Sequence, residues 1–581
     1  MAVSDKAKKI ICIVIGSVLI AAIIATVIIV SANLISPYKR NNLSFNSIKY
    51  SRPDLDGIEN AFDQAFANVD GSYNAAVNSV NNAVIKLNEL VTAVSYVQVK
   101  YSEDYTDPYW SNEYNELYSA YNVYYNKYFD LLYEVLTSKN KDMLSSLSNE
   151  EIKQIERMHG ALDDEYLQAQ NNITEITNEY NNLGTEITGS PSEADMQSFS
   201  TKAGDLLIEL AQNYNVIAES EGYDNYADYA YESYGRSYDP QEAQALHGYV
   251  KTYLKNVVGE LFNAVKDSDK SFMVGGDDPD LILDRSMNTI KSFLDEADNK
   301  QYVSETDASM EGYLTEAYNY MDRYDQHIRS SNPKGNEGAY TTYLSGYDIP
   351  IMFQYMNGDI GDVSTFVHEF GHFTSYYMHG QYGGYDLDYA EVQSQGLELL
   401  FMNSYDELYK ELFPYYSDAE IENLAKGLTR NNLMTTLIFS VQMGCIMDEL
   451  QYDVYTNIDY YTSGEQVTAK FDELLDEYFP ENVINGYSAK YDFKYWWAEV
   501  SHNFSQPFYY ISYAVSAIPA LTIYIDSISD YSAALGEYHY IQRYGDGTYD
   551  FSRLLEKAGV DDPFSASTIQ NIASVIREKW L

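Results

Sequence analysis

Apolar residues recur at spacings of three and four along most of the chain, the period of an amphipathic helix. Leu117, Tyr121, Tyr124, Tyr128, Leu131, Leu132 and Val135 form one such stripe. Residues 41–200 read as helices, and further helices run from Leu206 to Ala218 and from Pro240 to Ala264. The pattern then changes. After a Gly-rich loop from Asn332 to Gly338, the segments Ala339 to Leu344 and Ile349 to Tyr355 alternate or run apolar as strands do. The chain is therefore expected to be mainly α with a small β-sheet. A Gly/Ser/Thr/Pro break from Gly184 to Pro191 is a lobe boundary by composition. It divides the body into an N-terminal helical lobe, 37–200, and a larger domain, 201–581. No internal repeat and no long low-complexity linker appears.

Directly after the strands comes Asp362-Val-Ser-Thr-Phe-Val-His-Glu-Phe-Gly-His372. Asp362 and Ser364 suit an N-cap, and Val363, Phe366, Val367 and Phe370 make an apolar stripe for burial. On such a helix His368 and His372 lie one above the other. Two imidazoles so placed bind one zinc ion from the same side, with Glu369 beside it to accept a proton from the attacking water. The chain has only 8 His, which makes a chance pair with Glu between them improbable. Gly371 costs roughly 1 kcal/mol against Ala in a helix interior. That cost is explained if another backbone or a ligand must come close there.

A catalytic zinc takes a third protein ligand and keeps an open position. A third His six residues on is excluded, because position 378 is Met, and His379 lies too far along the helix to reach the same ion. Carboxylates remain. Asp386 to Glu398 reads as a second helix after a turn at Gly380 to Gly384. Glu391 and Glu398 share one face of it. Either ligates, and the other is free to orient a ligating His.

Ile10 to Val30 carries no charge and, extended to Ile35, exceeds the roughly 20 residues that span a bilayer. Lys6, Lys8 and Lys9 precede it, which places the N-terminus in the cytoplasm and the body outside. The run is longer than the core of a cleaved signal peptide, although Val30-Ser-Ala32 offers a cleavage site. Residues 1–36 are thus read as a cytoplasmic stub and a single membrane anchor. The remainder is strongly acidic, with 87 Asp and Glu against 37 Lys and Arg and a net charge of −50. A general nucleic-acid binder is excluded, since it needs a basic footprint. The 2 cysteines, Cys12 in the membrane run and Cys445 in an apolar helix, leave no disulfide to expect and suit an exported bacterial protein. The 60 Tyr are spread through the helical stripes, as substitutes for Phe and Leu on half-buried faces.

His368-Glu-Phe-Gly-His372 followed by Ala390-Glu-Val-Gln-Ser-Gln395 resembles the thimet oligopeptidase and oligoendopeptidase F family of zinc metallopeptidases. The resemblance makes Glu391 the third ligand of one zinc per chain. Gln393 stands where the family often has Pro, which leaves the ligand in place. Gly222 to Arg236 resembles the stretch ahead of the catalytic domain in oligoendopeptidase F. His502 followed by Pro507-Phe-Tyr-Tyr-Ile-Ser-Tyr513 resembles the family's C-terminal catalytic segment. It implies that His502 and Tyr513 contact the substrate carbonyl, with Tyr510 on the same helical face. Distant members carry a further Tyr soon after the His; here that region is Phe504-Ser-Gln506. The resemblance further implies two helical lobes around a deep groove that admits short unfolded peptides, and an edge strand that pairs with the substrate backbone. Glu369 would act as general base and His502 and Tyr513 as oxyanion donors. The alternatives are a carboxypeptidase on the same fold and a non-catalytic binding scaffold derived from it. An intact Glu369 argues against the scaffold.

Overall fold

The computed structural model describes residues 40–581 except parts of 146–163 and residues 187–190, 269, 299–311, 385 and 489–492. The membrane anchor expected over residues 1–36 lies outside the described residues. Helices α1 (Leu55–Asn68), α2 (Tyr73–Glu103) and α3 (Pro108–Thr137) come first. The start of α3 is set locally. Asp107 accepts from the N–H groups of Tyr109 and Trp110, and Pro108 occupies a first-turn position where no N–H is required. The stripe from Leu117 to Val135 is buried along its whole length.

Then follow α4 (Asp164–Glu186), α5 (Glu193–Ser220), α6 (Tyr226–Ser233), α7 (Pro240–Tyr253), α8 (Lys255–Asp267), α9 (Leu281–Ala297) and α10 (Tyr313–Arg323). Three strands, β1 (His327–Ser330), β2 (Ala339–Leu344) and β3 (Ile349–Tyr355), form one sheet in the order β1-β3-β2. The pair β1/β3 is parallel and β2/β3 antiparallel, with Thr341 opposite Met352. β2 and β3 have the bounds expected from the pattern. β1 was not expected; its four residues are too few to show a period.

The sheet divides two hydrophobic cores. Ile349, Ile351 and Phe353 of β3 pack with α1–α3, while Met352, on the other face, joins the larger C-terminal core. This explains why β3 is buried at every position rather than at alternate ones. The larger core begins at Tyr166 in α4. The division expected at residue 200 therefore falls inside α5, and the break at Gly184 to Pro191 separates two helices packed on each other.

The C-terminal part continues with α11 (Gly361–His379), α12 (Leu387–Phe401), α13 (Tyr405–Leu412), α14 (Asp418–Thr435), α15 (Met443–Thr456), α16 (Gly464–Tyr478) and α17 (Glu481–Ser488). A π-helical segment joins α14 to α15 without a break. A single turn, His502–Ser505, precedes α18 (Ile511–Ser529), α19 (Tyr531–Tyr544), α20 (Phe551–Ala558) and α21 (Ala566–Trp580). Two described helical stretches, Asp418–Thr456 and Ile511–Ser529, are apolar and long enough to cross a membrane, and both are mostly buried in the protein. Cys445 is a buried free thiol in α15.

The chain enters the structure at Arg40. Its guanidinium donates to the carbonyls of Tyr377 (2.8 Å) and Met378 (3.0 Å) in the last turn of α11, and pairs with Asp348 at 2.9 Å. A cation at that end complements the helix dipole.

Helices α5 and α16 cross through Gly204 and Gly464. A Cβ on Gly464 would lie 1.9 Å from the carbonyl oxygen of Thr201, a backbone atom that cannot rotate away. Gly464→Ala is expected to destabilise the protein by about 1–3 kcal/mol or more, as overpacking does. Calorimetry should show a lowered melting temperature, and an unchanged one would mean that the two helices part without cost.

Candidate active site

Helix α11 places His368 and His372 one turn apart, with ring centroids 5.3 Å from each other. The stripe Val363, Phe366, Val367 and Phe370 is buried as expected. The start of the helix differs from expectation. Ile360 occupies the cap position without a side-chain bond. Asp362 lies in the first turn and reaches back to accept from the N–H groups of Asn357, Gly358 and Asp359 at 3.0, 2.7 and 3.2 Å. Its carboxylate serves the incoming loop rather than the helix.

Helix α12 begins at Leu387, with Asp386 as N-cap. It returns alongside α11 and brings Glu391 to the two imidazoles. Glu391 Oε2 is 3.6 Å from His368 Nε2 and 3.7 Å from His372 Nε2. The three donor atoms lie within 4.8 Å of one another. Tetrahedral zinc with bonds of about 2.0–2.1 Å puts its ligands about 3.3 Å apart, so the two distances to Glu391 fit the ion with a small contraction. The approach is made at Gly371, where a Cβ would stand 2.5 Å from the carbonyl oxygen of Gln393 and 2.7 Å from Ser394 Cα. The close neighbour expected at this glycine is the backbone of α12.

Glu398 lies two turns beyond Glu391, with its Oε2 at 3.1 Å from His368 Nδ1. That contact turns Nε2 toward Glu391. Ser394 Oγ donates to the Glu391 carboxylate at 3.0 Å. Burial disfavours an imidazolium at His368, but Glu398, Glu391 and Glu369 outweigh it and bring the pKa up to about 9. At His372 burial prevails and takes the pKa down to about 4. The two imidazoles thus differ in charge preference because only His368 has Glu398 against its second nitrogen. His379 is elsewhere, with Nε2 2.7 Å from the Gln542 carbonyl oxygen.

Glu369 is buried beside the triangle. Thr341 Oγ1, on edge strand β2, lies 2.8 Å from its Oε2. Burial lifts this carboxyl to about 7, against the pull of His368 and Thr341. Thr341 was not anticipated, because nothing near it in the sequence marks it. Only the packing of β2 on α11 brings the two together.

The second half of the site comes from the turn His502–Ser505 and the start of α18. His502 is 1% exposed, and neither ring nitrogen has a hydrogen-bond partner. Burial takes its pKa down to about 3, so the ring is neutral at pH 7. The rings of Tyr509, Tyr510 and Tyr513 surround it at centroid distances of 5.1, 5.3 and 6.0 Å. Burial holds the phenols of Tyr509 and Tyr513 well above their usual pKa, and the charge of Glu391 acts on both. The two rings meet edge-on, with centroids 5.8 Å apart. For Tyr510 burial alone raises the pKa beyond the ordinary phenol range. The structure thus brings His502, Tyr513 and Tyr510 together as expected and adds Tyr509 on the side of the ligands. Tyr509 precedes the first residue of α18, Ile511, and no helical spacing marks it.

Residues 307–574 match the model of Peptidase family M3. A search of curated proteins finds no match. Among solved structures the chain is similar to PZ peptidase A with an inhibitor, at TM-score 0.66 and 18% identity over 92% of this chain and 98% of the other. It is also similar to a Bacillus anthracis str. Ames protein assigned as an oligoendopeptidase F, at TM-score 0.63 and 18% identity over 92% and 98%. A Pyrococcus furiosus carboxypeptidase gives TM-score 0.53 and 12% identity over 91% and 100%. At these identities the likeness to solved structures is one of fold.

The assignment of ligands can be tested directly. Glu391→Ala should lose zinc, whereas Glu398→Ala should weaken affinity by roughly 10–100-fold, as losses behind a ligand do. Zinc content after dialysis against graded chelator separates the two, and full occupancy in Glu391→Ala would remove it from the ligand set.

Proposed function

We propose that this chain is a zinc metallopeptidase that cleaves short unfolded peptides internally and is anchored in the cell membrane with its body outside; the match of residues 307–574 to the model of Peptidase family M3 supports the metallopeptidase reading. The observation that carries the zinc reading is the triangle of His368, His372 and Glu391 with buried Glu369 beside it. A zinc ion bound there supplies Lewis acidity, polarising the scissile carbonyl and acidifying the attacking water.

The chain's own residues do the rest. Glu369 accepts the proton of the attacking water and delivers it to the leaving amine. Thr341 holds one of its oxygens in place from β2. Tyr513 and neutral His502 donate hydrogen bonds to the oxygen that gains charge as the carbonyl becomes tetrahedral. Tyr509 stands beside Tyr513, with Tyr510 behind His502. β2 is the edge of its sheet, and a substrate backbone adding to that edge would gain main-chain hydrogen bonds with little demand on sequence. A groove between the two cores, with the site at its floor, would admit extended chains and exclude folded ones. The likeness to oligoendopeptidase F structures favours internal cleavage. The carboxypeptidase on the same fold supplies the second reading, stepwise removal of C-terminal residues.

Purified protein should contain about one zinc per chain, as one set of three ligands implies. It should cleave quenched peptides internally and lose activity to chelators. Glu369→Gln should keep the metal and lose nearly all turnover. Chelator-insensitive cleavage would defeat the metal reading, and product analysis showing only C-terminal single residues would replace the endopeptidase with the carboxypeptidase.

The anchored topology rests on the uncharged run from Ile10 and the lysines before it. The full chain should sediment with membranes, and protease added to intact cells should digest the body. Recovery of the full-length chain in the cytosol would end that reading.

A further inference from the structure

The tyrosines of the second half-site follow a strained residue. Phe508 has φ +66°, a left-handed conformation that a bulky side chain adopts only when its surroundings enforce it. Both sides of its backbone are held by side chains from distant parts of the sequence. Its N–H donates to Gln451 Oε1 at 2.7 Å. Its carbonyl accepts from Arg236 Nη2 at 2.6 Å. We propose that Arg236 and Gln451 are positioning residues that hold Phe508 in this conformation and thereby set Tyr509 and Tyr513 against the substrate carbonyl.

Gln451, on α15, is buried and has two partners. Besides Phe508 it donates through Nε2 to Asn503 Oδ1 at 3.1 Å, and Asn503 donates to the Trp497 carbonyl at 2.9 Å. Asn503 is the neighbour of His502. One amide group therefore ties the turn that carries His502 to the turn that carries Tyr509. Arg236 acts from the other side. Its Nη2 also reaches Ser512 Oγ at 3.2 Å, in the first turn of α18, next to Tyr513. Tyr234 adds a bond from its hydroxyl to the Pro507 carbonyl at 3.1 Å.

The guanidinium is itself fixed, lying over the rings of Tyr231, Tyr234 and Tyr238 at 4.6, 5.0 and 5.5 Å. A planar cation can stack on rings and donate in its own plane at once; an ammonium cannot do both. This assigns a role to the Tyr-rich stretch from Gly222 to Arg236, which lies far from the metal ligands in sequence. Relaxation of Phe508 to negative φ would rotate the peptide that leads into Tyr509. A displacement of about 1 Å at a reacting group can cost up to about 100-fold in rate.

The proposal rests on the reading of Tyr513 as a donor to the substrate carbonyl, and the experiment separates the two. Arg236→Met, Arg236→Lys, Gln451→Leu, Tyr513→Phe and the double variant Arg236→Met with Tyr513→Phe would be assayed with one quenched peptide, alongside zinc content and melting temperature. The single clamp variants should keep zinc and fold, lower kcat by roughly 10–100-fold and move KM little. Arg236→Lys should not restore kcat. The double variant should be close to Tyr513→Phe alone, because a clamp has nothing to position once the hydroxyl is gone. Normal kcat in folded clamp variants, fully multiplicative losses, or a kcat that falls only with zinc or stability would each overturn the clamp while Tyr513→Phe remains impaired. Normal kcat in Tyr513→Phe would overturn the reading of the tyrosine and the clamp with it.

Discussion

At Gly371 two helices meet backbone to backbone. Helix α11 carries both imidazoles, and α12 carries the carboxylate that completes their triangle. Glutamate is short, so its oxygen can stand 3.6 and 3.7 Å from the two ring nitrogens only if the helix axes come close. Any side chain at Gly371 would strike Gln393 and Ser394, one turn or less from Glu391. On its other side α12 packs against α18, which opens with the tyrosines. Glu391 is thus held between the helix of the two imidazoles and the helix of Tyr513, and a shift of α12 would disturb both.

Around that contact the chain is arranged as a set of buried polar supports. His368 is turned by Glu398, Glu391 is held by Ser394, and Glu369 is held by Thr341. Burying these carboxylates is costly unless they are paired or hydrogen-bonded. Each has such a partner, and the cluster of negative charge they make is the complement of a cation. The sheet contributes twice. It separates the two cores, and its edge strand supplies the hydroxyl that fixes Glu369.

What was legible in the sequence was mostly local. The spacing of His368 and His372, the stripe from Val363 to Phe370 and the bounds of β2 and β3 all follow from helical or strand period. Glu391 and Glu398 share a helix face, so the residues alone left the choice between them open, and it was the resemblance that implied Glu391. Contacts between distant segments were not legible. Thr341 is an ordinary strand residue until β2 packs on α11, and Arg236 and Gln451 are unremarkable polar residues until their chains converge on Phe508. Asp362 has the composition of a cap but answers the loop before it. The membership of α4 and α5 in the larger core depends on partners hundreds of residues away, so a compositional break at Gly184 to Pro191 could not reveal it.

Arg40 closes the end of α11 from outside the helix. Its guanidinium is bonded to the carbonyls of Tyr377 and Met378, about one and a half turns, or roughly 8 Å, along α11 from His372. The same guanidinium pairs with Asp348 in the turn between β2 and β3, so one side chain ties the sheet that supports Glu369 to the far end of the helix that carries it.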